Sequence, residues 1–286
     1  VQDIKHQGLS YSSMRLYTSC ARKYFYKKVV KYPIDTDSSE DTESFSVGKA
    51  FHQCLEDTRH LLDGYTGKEI SKVAVEHGLD DSYHLPLLIA MLSRYKEVHK
   101  KSGLKAIHCE VIIETQDFYG IVDVILKDAL GGWWIGDMKT SGSYRPDIIA
   151  TLPRDPQLNL YHAHYKELAA SLELDPEKYL GCRYLLTTKS KTSRKDGEEL
   201  THYVGRLMKV IKSFDFIIPK EKMGPEDILK VHASVLKVSA SQTLDPASYT
   251  PNYGNCMSYF RPCEFWSRCH GNNFSNMLDL EVITSG

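Results

Sequence analysis

No apolar run in this 286-residue chain approaches the roughly 20 residues that a membrane-spanning helix requires. Neither sign of charge is in surplus. The 36 Lys and Arg residues meet 37 Asp and Glu, for a formal net charge of −1. The overall field therefore gives no reason to expect nucleic acid, and any such contact has to come from local patches. The first residues, VQDIKHQGLS, lack the basic-then-apolar pattern of a secretory signal, although a start at Val rather than Met is compatible with a trimmed leader. There is no internal repeat, and no biased tract beyond the acidic, Ser/Thr-rich stretch 33–45, which reads as a mobile surface loop. An even cysteine count is missing too. Seven cysteines without a secretory signal argue against a disulfide framework and for a reducing, intracellular (cytoplasmic) setting, in which a subset binds a metal or a cluster.

What remains is an ordinary globular composition, 42% hydrophobic and 26% charged, with ample length for a buried core. Residues 10–31 open with serines suited to capping a helix. SVGKAFHQCLEDTRHLLD, from about Val47, and LPLLIAMLSRYKEVHKK read as amphipathic helices. The period then changes. AIHCEVIIE, FYGIVDVILK and GWWIGDMKT are β-branched and aromatic runs separated by short turns, the pattern of an antiparallel meander. A helix follows from Asp155 or Pro156, then a strand (KYLGCRYLLTT), a polar loop (KSKTSRKDGEE), a helix (GPEDILKVHASVLKVSA) and an irregular Cys-rich tail. The expected fold is α/β, a central mixed sheet flanked by helices. We read residues 1–286 as one domain, with a mainly helical part 10–104, the sheet at 105–205, and a helix and tail at 206–286.

Three acids stand out inside these apolar strands. If the second and third strands turn near Leu130, opposed residues sum to 260, which pairs Asp123 with Asp137. If the first turn is Gln116-Asp117, opposed residues sum to 233, and Glu110 faces Asp123. A row of carboxylates with opposed Cβ atoms about 5 Å apart is costly unless a cation neutralises it. Oxygen ligands favour Mg²⁺ or Mn²⁺. Lys139 lies two residues beyond Asp137, on the same strand face. A lone D-x-K is a common triplet and more often a solvated strand end. Its setting in IVDVI and WWIGDMK makes an unpaired charge expensive. Gly120 and Gly136, close to the acids, suggest room for the approach of a ligand.

The arrangement resembles the PD-(D/E)XK nuclease superfamily, whose signature is an acid on one strand and an acid-x-lysine on the next. Here these are Asp123 of GIVD, then Asp137-Met138-Lys139. The family's leading Pro-Asp is replaced by the G-x-x-D of its RecB-like branch. The branch's G-x-x-x-H is matched by Gly48 and His52, its Q-x-x-x-Y by Gln157 and Tyr161, and its preceding acid by Glu110. The resemblance implies a restriction-endonuclease-like core and a metal-dependent DNA nuclease. His52, Asp123, Asp137 and the Met138 carbonyl hold one or two Mg²⁺ or Mn²⁺ ions, and Glu110 completes a second site or its outer shell. Lys139 orients or deprotonates water, while Gln157 and Tyr161 position the DNA backbone. Taken singly, His52 and Tyr161 are more often packing residues, and Gln157 a solvated one.

Cys256, Cys263 and Cys269, spaced C-x₆-C-x₅-C among Gly, Pro and aromatics, read as metal ligands one short of four. Cys20, in SCARKYFY, matches the distant first cysteine of iron–sulfur members of that branch, such as AddB-type and CRISPR-associated RecB-like exonucleases. The resemblance implies a structural [4Fe–4S] cluster, with a Cys₄ zinc site as the rival and His270 as a substitute ligand. Cys54, Cys109 and Cys182 read as small buried hydrophobes. Arg22, Lys23, Lys27 and Lys28, interleaved with Tyr24, Phe25 and Tyr26, suit either a path for single-stranded DNA or a solvated helix face. The expected activity is an exonuclease preferring single strands or free ends, in recombination, repair or CRISPR adaptation. With no helicase motif in the chain, any unwinding or adaptation partner is a separate protein; oligomeric state is left open. The alternatives are a catalytically silent DNA- or partner-binding module and a redox protein built on the cluster.

Overall fold

The computed structural model describes residues 8–32, 43–58, 66–79, 83–241, 244–258 and 261–270. Most of the expected acidic loop lies outside these residues. The chain divides into two compact units, Val1–Gly8 with Asp41–Val231, and Leu9–Glu40 with His232–Gly286.

The first unit is built on one mixed sheet. Strands β1 (Lys105–Glu114), β2 (Phe118–Lys127), β3 (Trp133–Ser141), β4 (Tyr179–Thr188) and β5 (Ser213–Pro219) lie side by side in that order. The pairs β1–β2, β2–β3 and β4–β5 are antiparallel, and β3–β4 is parallel. Val124↔Gly136 through Lys127↔Trp133 give the expected sum of 260. His108↔Ile125 through Glu114↔Tyr119 give 233, with a bulge between Ala106 and His108 that shifts the rest of the strand by one. This is the mixed sheet flanked by helices that the sequence pattern implied.

Helices α1 (Glu43–Asp57), α2 (Gly67–Glu76), α3 (His84–Ser102) and α5 (Leu200–Val210) cover one face of the sheet; α4 (Pro156–Ala163) packs on β3 and β4. In α1, Val47, Ala50, Phe51, Cys54 and Leu55 fall on one helical stripe and are all buried, against Val124, Leu126, Met138 and Leu185 of the sheet. Residues of opposite parity, including Ile125 and its ladder partner Ile135, belong to the other face. There Cys182 Sγ approaches the Leu158 carbonyl of α4 at 3.9 Å. Asp155 caps α4 by accepting from the Leu158 N–H. Cys54 and Cys182 are fully buried and Cys109 is half-buried against the helical core, as small apolar residues would be.

Four elements go beyond the sequence pattern. α1 begins at Glu43, inside the stretch read as a loop, because acidic and hydroxyl residues suit a first helical turn as well as a loop. α2 carries a full capping box between Thr66 and Glu69, a signal present in the sequence. α5 and β5 fill the interval that the sequence reading left between the polar loop and the last long helix.

In the second unit, Ser10 caps the helix Tyr11–Ser19, which is followed by Ala21–Tyr24 and a wider-wound turn, Phe25–Val29. The buried ring of Tyr26 stacks near Phe265, Phe25 packs on Tyr249, and the Tyr24 hydroxyl meets Ser239 Oγ at 2.8 Å. These aromatics form the unit's core, so they do not offer a stacking surface to DNA. Three of the four basic residues are also engaged. Arg22 Nε donates to the Tyr249 carbonyl, while Lys23 and Lys27 pair with Glu264; Lys28 is exposed. The core has thus claimed the rings of this segment, and Arg22, Lys23 and Lys27 have partners within the unit.

Candidate metal and catalytic site

Where β2 and β3 run side by side, the acid row forms at the rim of a cleft of about 930 Å³. Its lining includes His52 of α1, Glu110 of β1, Asp123 of β2, and Met138 and Lys139 of β3. One ligand atom from each of His52, Glu110 and Asp123 lies within 4.8 Å of the other two, close enough for one cation to touch all three. Met138 N–H donates to Asp123 Oδ2 at 2.6 Å, which fixes that carboxylate against the next strand.

Asp137 stands differently. Its side chain is only 1% exposed, and both of its oxygens lie 2.7 Å from Lys139 Nζ. The pattern placed Asp137 among the metal ligands and Glu110 in a second metal site or its outer shell. The structure instead draws Glu110 into the tight trio and leaves Asp137 beside it, held by the lysine. Glu110 reaches that position from a backbone with φ of 49° within a strand, a left-handed conformation that glutamate seldom adopts. Such strain collects at functional sites, and nothing in the amino-acid order announces it.

The electrostatics suit a cation. Burial lowers the His52 pKa to about 4, so the ring is neutral and ready to ligate at neutral pH. Burial raises Asp137 to about 7, and partial burial together with the neighbouring Asp123 raises Glu110 to about 7. Asp123 is also raised by burial, against the pull of Lys139 and the Met138 N–H. Burial alone would lower Lys139, but the Asp137 and Asp123 carboxylates outweigh it and keep the ammonium protonated. Without a cation, the site is thus short of positive charge and retains protons.

A pH dependence follows. For Asp137 the folded pKa of about 7 lies above the ordinary 3.8. Its stabilising contribution is present below the lower value and is lost as pH rises through the upper one. The metal-free Asp137→Asn protein should therefore gain thermal stability relative to wild type as pH rises from about 4 to about 7. Saturating Mg²⁺ should narrow the gap by stabilising wild type. A gap that stays constant across this range in calorimetry would refute the assignment.

Gly48 allows α1 to lie close to the sheet, since a Cβ there would stand 3.0 Å from Thr140 Oγ1. The glycines beside the acids serve packing instead of ligand access. A Cβ at Gly136 would meet Val124 Cγ1 at 2.5 Å, and one at Gly120 would meet the Phe118 and Tyr161 rings below 3.0 Å.

Gln157 and Tyr161 do form a pair, with Gln157 Nε2 donating to the Tyr161 hydroxyl at 3.0 Å. That hydroxyl donates in turn to the Ile121 carbonyl at 2.5 Å, and the residue is 3% exposed. Tyr161 therefore pins α4 to β2, and of the two only the half-buried Gln157 is open to solvent. Sequence reasoning missed Lys189, which follows β4 and lines the same cleft. Its N–H donates to the Ser141 carbonyl at 2.6 Å, continuing the parallel ladder. It sat in a lysine-rich segment whose composition resembles any surface loop.

In the second unit, Cys20, Cys256, Cys263 and Cys269 line a single small cavity with Phe265 and Trp266. Asn252 N–H points at Cys20 Sγ from 3.4 Å. Burial, reinforced by the neighbouring thiols, raises Cys256; burial also raises Cys269, where Arg22 opposes it. The set thus draws its members from residue 20 and from residues 256–269. The His270 side chain lies outside the described residues.

A mixed sheet carrying two acids and a lysine on its central strands, flanked by helices, defines a restriction-endonuclease-like α/β protein. Residues 8–270 match the family model of the PD-(D/E)XK nuclease superfamily, and the chain belongs to that superfamily. A comparison with curated proteins finds no match. Among the described residues, no helix is long and apolar enough to cross a membrane.

Proposed function

We propose that the protein is a metal-dependent deoxyribonuclease of the RecB-like kind, acting as an exonuclease on single-stranded or free-ended DNA in recombination, repair or CRISPR adaptation. One observation carries this reading: His52, Glu110 and Asp123 converge on a single point beside the buried Asp137–Lys139 pair. The donor set of one neutral imidazole and carboxylate oxygens fits Mg²⁺ or Mn²⁺, with His52, Glu110 and Asp123 as holders and Asp137 and the Met138 backbone within reach. When bound, the cation supplies charge stabilisation at the phosphate and acidifies water. The chain's own residues do the rest. Asp137 keeps the Lys139 ammonium aimed at the cleft, where it donates to charge developing on the phosphate oxygens. Met138 N–H holds Asp123 in place, and Gln157 offers a polar contact to the backbone of the substrate. End-labelled single- and double-stranded DNA should be degraded from its ends with Mg²⁺ or Mn²⁺, single strands faster. Degradation that persists after complete chelation would overturn the assignment.

The four-cysteine set is assigned a structural [4Fe–4S] cluster, with zinc as the alternative. A single tetrahedral zinc needs its sulfurs about 3.8 Å apart. Among the described residues, the donors that gather within 4.8 Å are those of the acid site, and the four thiols do not form such a group. The four thiols share one small cavity, and the preference for a polynuclear occupant over zinc rests on the family resemblance. Cys263→Ala should lower the melting temperature by roughly 10 °C or more and release the bound iron. Unchanged melting and iron content would count against a structural role, and bound zinc in a colourless wild-type protein would replace the cluster.

A further inference from the structure

The row of acids does not stop at β3. Across the parallel pairing Asp137 lies beside Tyr184, and across the next antiparallel pairing Tyr184 lies beside Phe216. One step along the strands, Lys139 lies beside Leu186, and Leu186 beside Phe214. Paired residues share a sheet face, so the acid and lysine positions continue sideways into aromatic ones. Two strand spacings separate Asp137 from Phe216, about 10 Å, roughly three base steps at 3.4 Å.

Phe214 and Phe216 are themselves covered by Tyr144, from the segment following β3. The Tyr144 ring stacks on Phe214 at 4.8 Å and 28° and lies 6.4 Å from Phe216 at 18°; the two phenylalanine rings are 5.5 Å apart at 18°. Near-parallel rings in this number, with Tyr144 42% exposed and both phenylalanines half-buried, make a shelf open to solvent on one side. At its end, the Thr188 N–H bonds the Lys212 carbonyl and the Lys189 N–H bonds the Ser141 carbonyl, which brings Lys189 and the exposed Lys212 to the same end of the sheet. Flat π-faces open to solvent, in line with the acid and lysine positions, suit a ligand that presents unpaired bases beside phosphates. A duplex keeps its base faces stacked within the helix and has none to offer.

We propose that Tyr144, Phe214 and Phe216 form a base-stacking platform that holds single-stranded DNA next to the acid row. The proposal rests on the nuclease reading for its direction but is tested by binding alone. The probe is fluorescently labelled oligothymidylate of about 20 nucleotides, compared with a duplex of equal length and a strand of abasic units, on the full metal-free chain. Tyr144→Ala should weaken oligothymidylate binding about tenfold while leaving the duplex and the abasic strand unchanged, and Tyr144→Trp should retain wild-type affinity. Because Tyr144 is exposed, its truncation leaves the fold intact. Bromouracil-substituted oligonucleotide should photo-crosslink to peptides containing Tyr144, Phe214 or Phe216. Equal oligothymidylate affinities for wild type and Tyr144→Ala, equal losses on all three probes, or crosslinks confined to other peptides would each overturn the platform. A protein that binds through Tyr144 yet cleaves nothing keeps the platform and loses the nuclease. One that cleaves with Tyr144→Ala binding unchanged does the reverse.

Discussion

Alanine at Asp137 or Lys139 is expected to leave less than about one part in 10³ of the Mg²⁺-dependent cleavage rate, with the fold retained in both. Asp137→Ala removes the partner that holds Lys139 Nζ 2.7 Å away and frees the ammonium to swing into water. The freed lysine is still charged, but its placement is lost, and placement is what distinguishes a charge at the reaction centre from one in solvent. Lys139→Ala has a different route to the same result. It takes the attractive charge from two buried carboxylates, so Asp137 and Asp123 hold their protons more tightly and compete less well for a cation. The two variants should therefore separate in metal titration, with Lys139→Ala needing more Mn²⁺ or a higher pH and Asp137→Ala failing at any concentration. Lys139 is partly exposed and Asp137 is small, so circular dichroism and melting should stay near wild type. Cleavage by either variant at a tenth of the wild-type rate or above would remove the pair from the chemistry.

Gly181→Ala is expected to be the most damaging single methyl in the first unit, at about 3 kcal/mol or more. Gly181 lies in the central strand β4, opposite Trp134 on one side and Pro219 on the other, next to the register shift at Trp133/Trp134. Its φ of 130° is closed to residues with a side chain, and a Cβ would collide with the Ile218 carbonyl and stand 2.7 Å from Lys220 N. The backbone of β5 and of the turn after it cannot rotate away as a flexible side chain would, so β4 and β5 must part or shift. For a chain of this size the loss corresponds to a melting temperature lower by roughly 10 °C. Gly78→Ala serves as the control. It has a φ of 67° but nothing within 4 Å, so only the conformational cost of about 1 kcal/mol applies. Equal melting temperatures for the two variants would mean that the collision is relieved without cost.

Because side chains alternate along a strand, counting from two short turns was enough to give the registers of sum 260 and 233 that the ladders hold at Val124↔Gly136 and Cys109↔Val124. The fold class was legible for the same reason, since the runs AIHCEVIIE, FYGIVDVILK and GWWIGDMKT change period sharply from the helices around them. What the sequence hid depended on three-dimensional context. The left-handed backbone at Glu110 has no composition of its own, so nothing in the amino-acid order showed that it would gather with His52 and Asp123. Tyr161 and the Tyr24–Phe25–Tyr26 run are aromatic types that serve a core as readily as a ligand, and burial decided for the core. The Phe214/Phe216 alternation was visible in SFDFIIP, but nothing in its order said that Tyr144 would fold over it.

The second unit carries a consequence for how the protein is made. The His232 ring bonds the Leu9 carbonyl, Lys27 meets Glu264, and Tyr26 reaches Arg268, so partners more than 220 residues apart complete one small body. At translation rates of roughly 5–20 residues per second, the first helices must wait some 10–50 seconds for their complements to leave the ribosome. During that interval Cys20 has none of its three distant companions. A four-cysteine occupant of the cavity can therefore be completed only once Cys269 has been made, and a chain that stops short of Cys269 leaves Cys20 without its full set of companions.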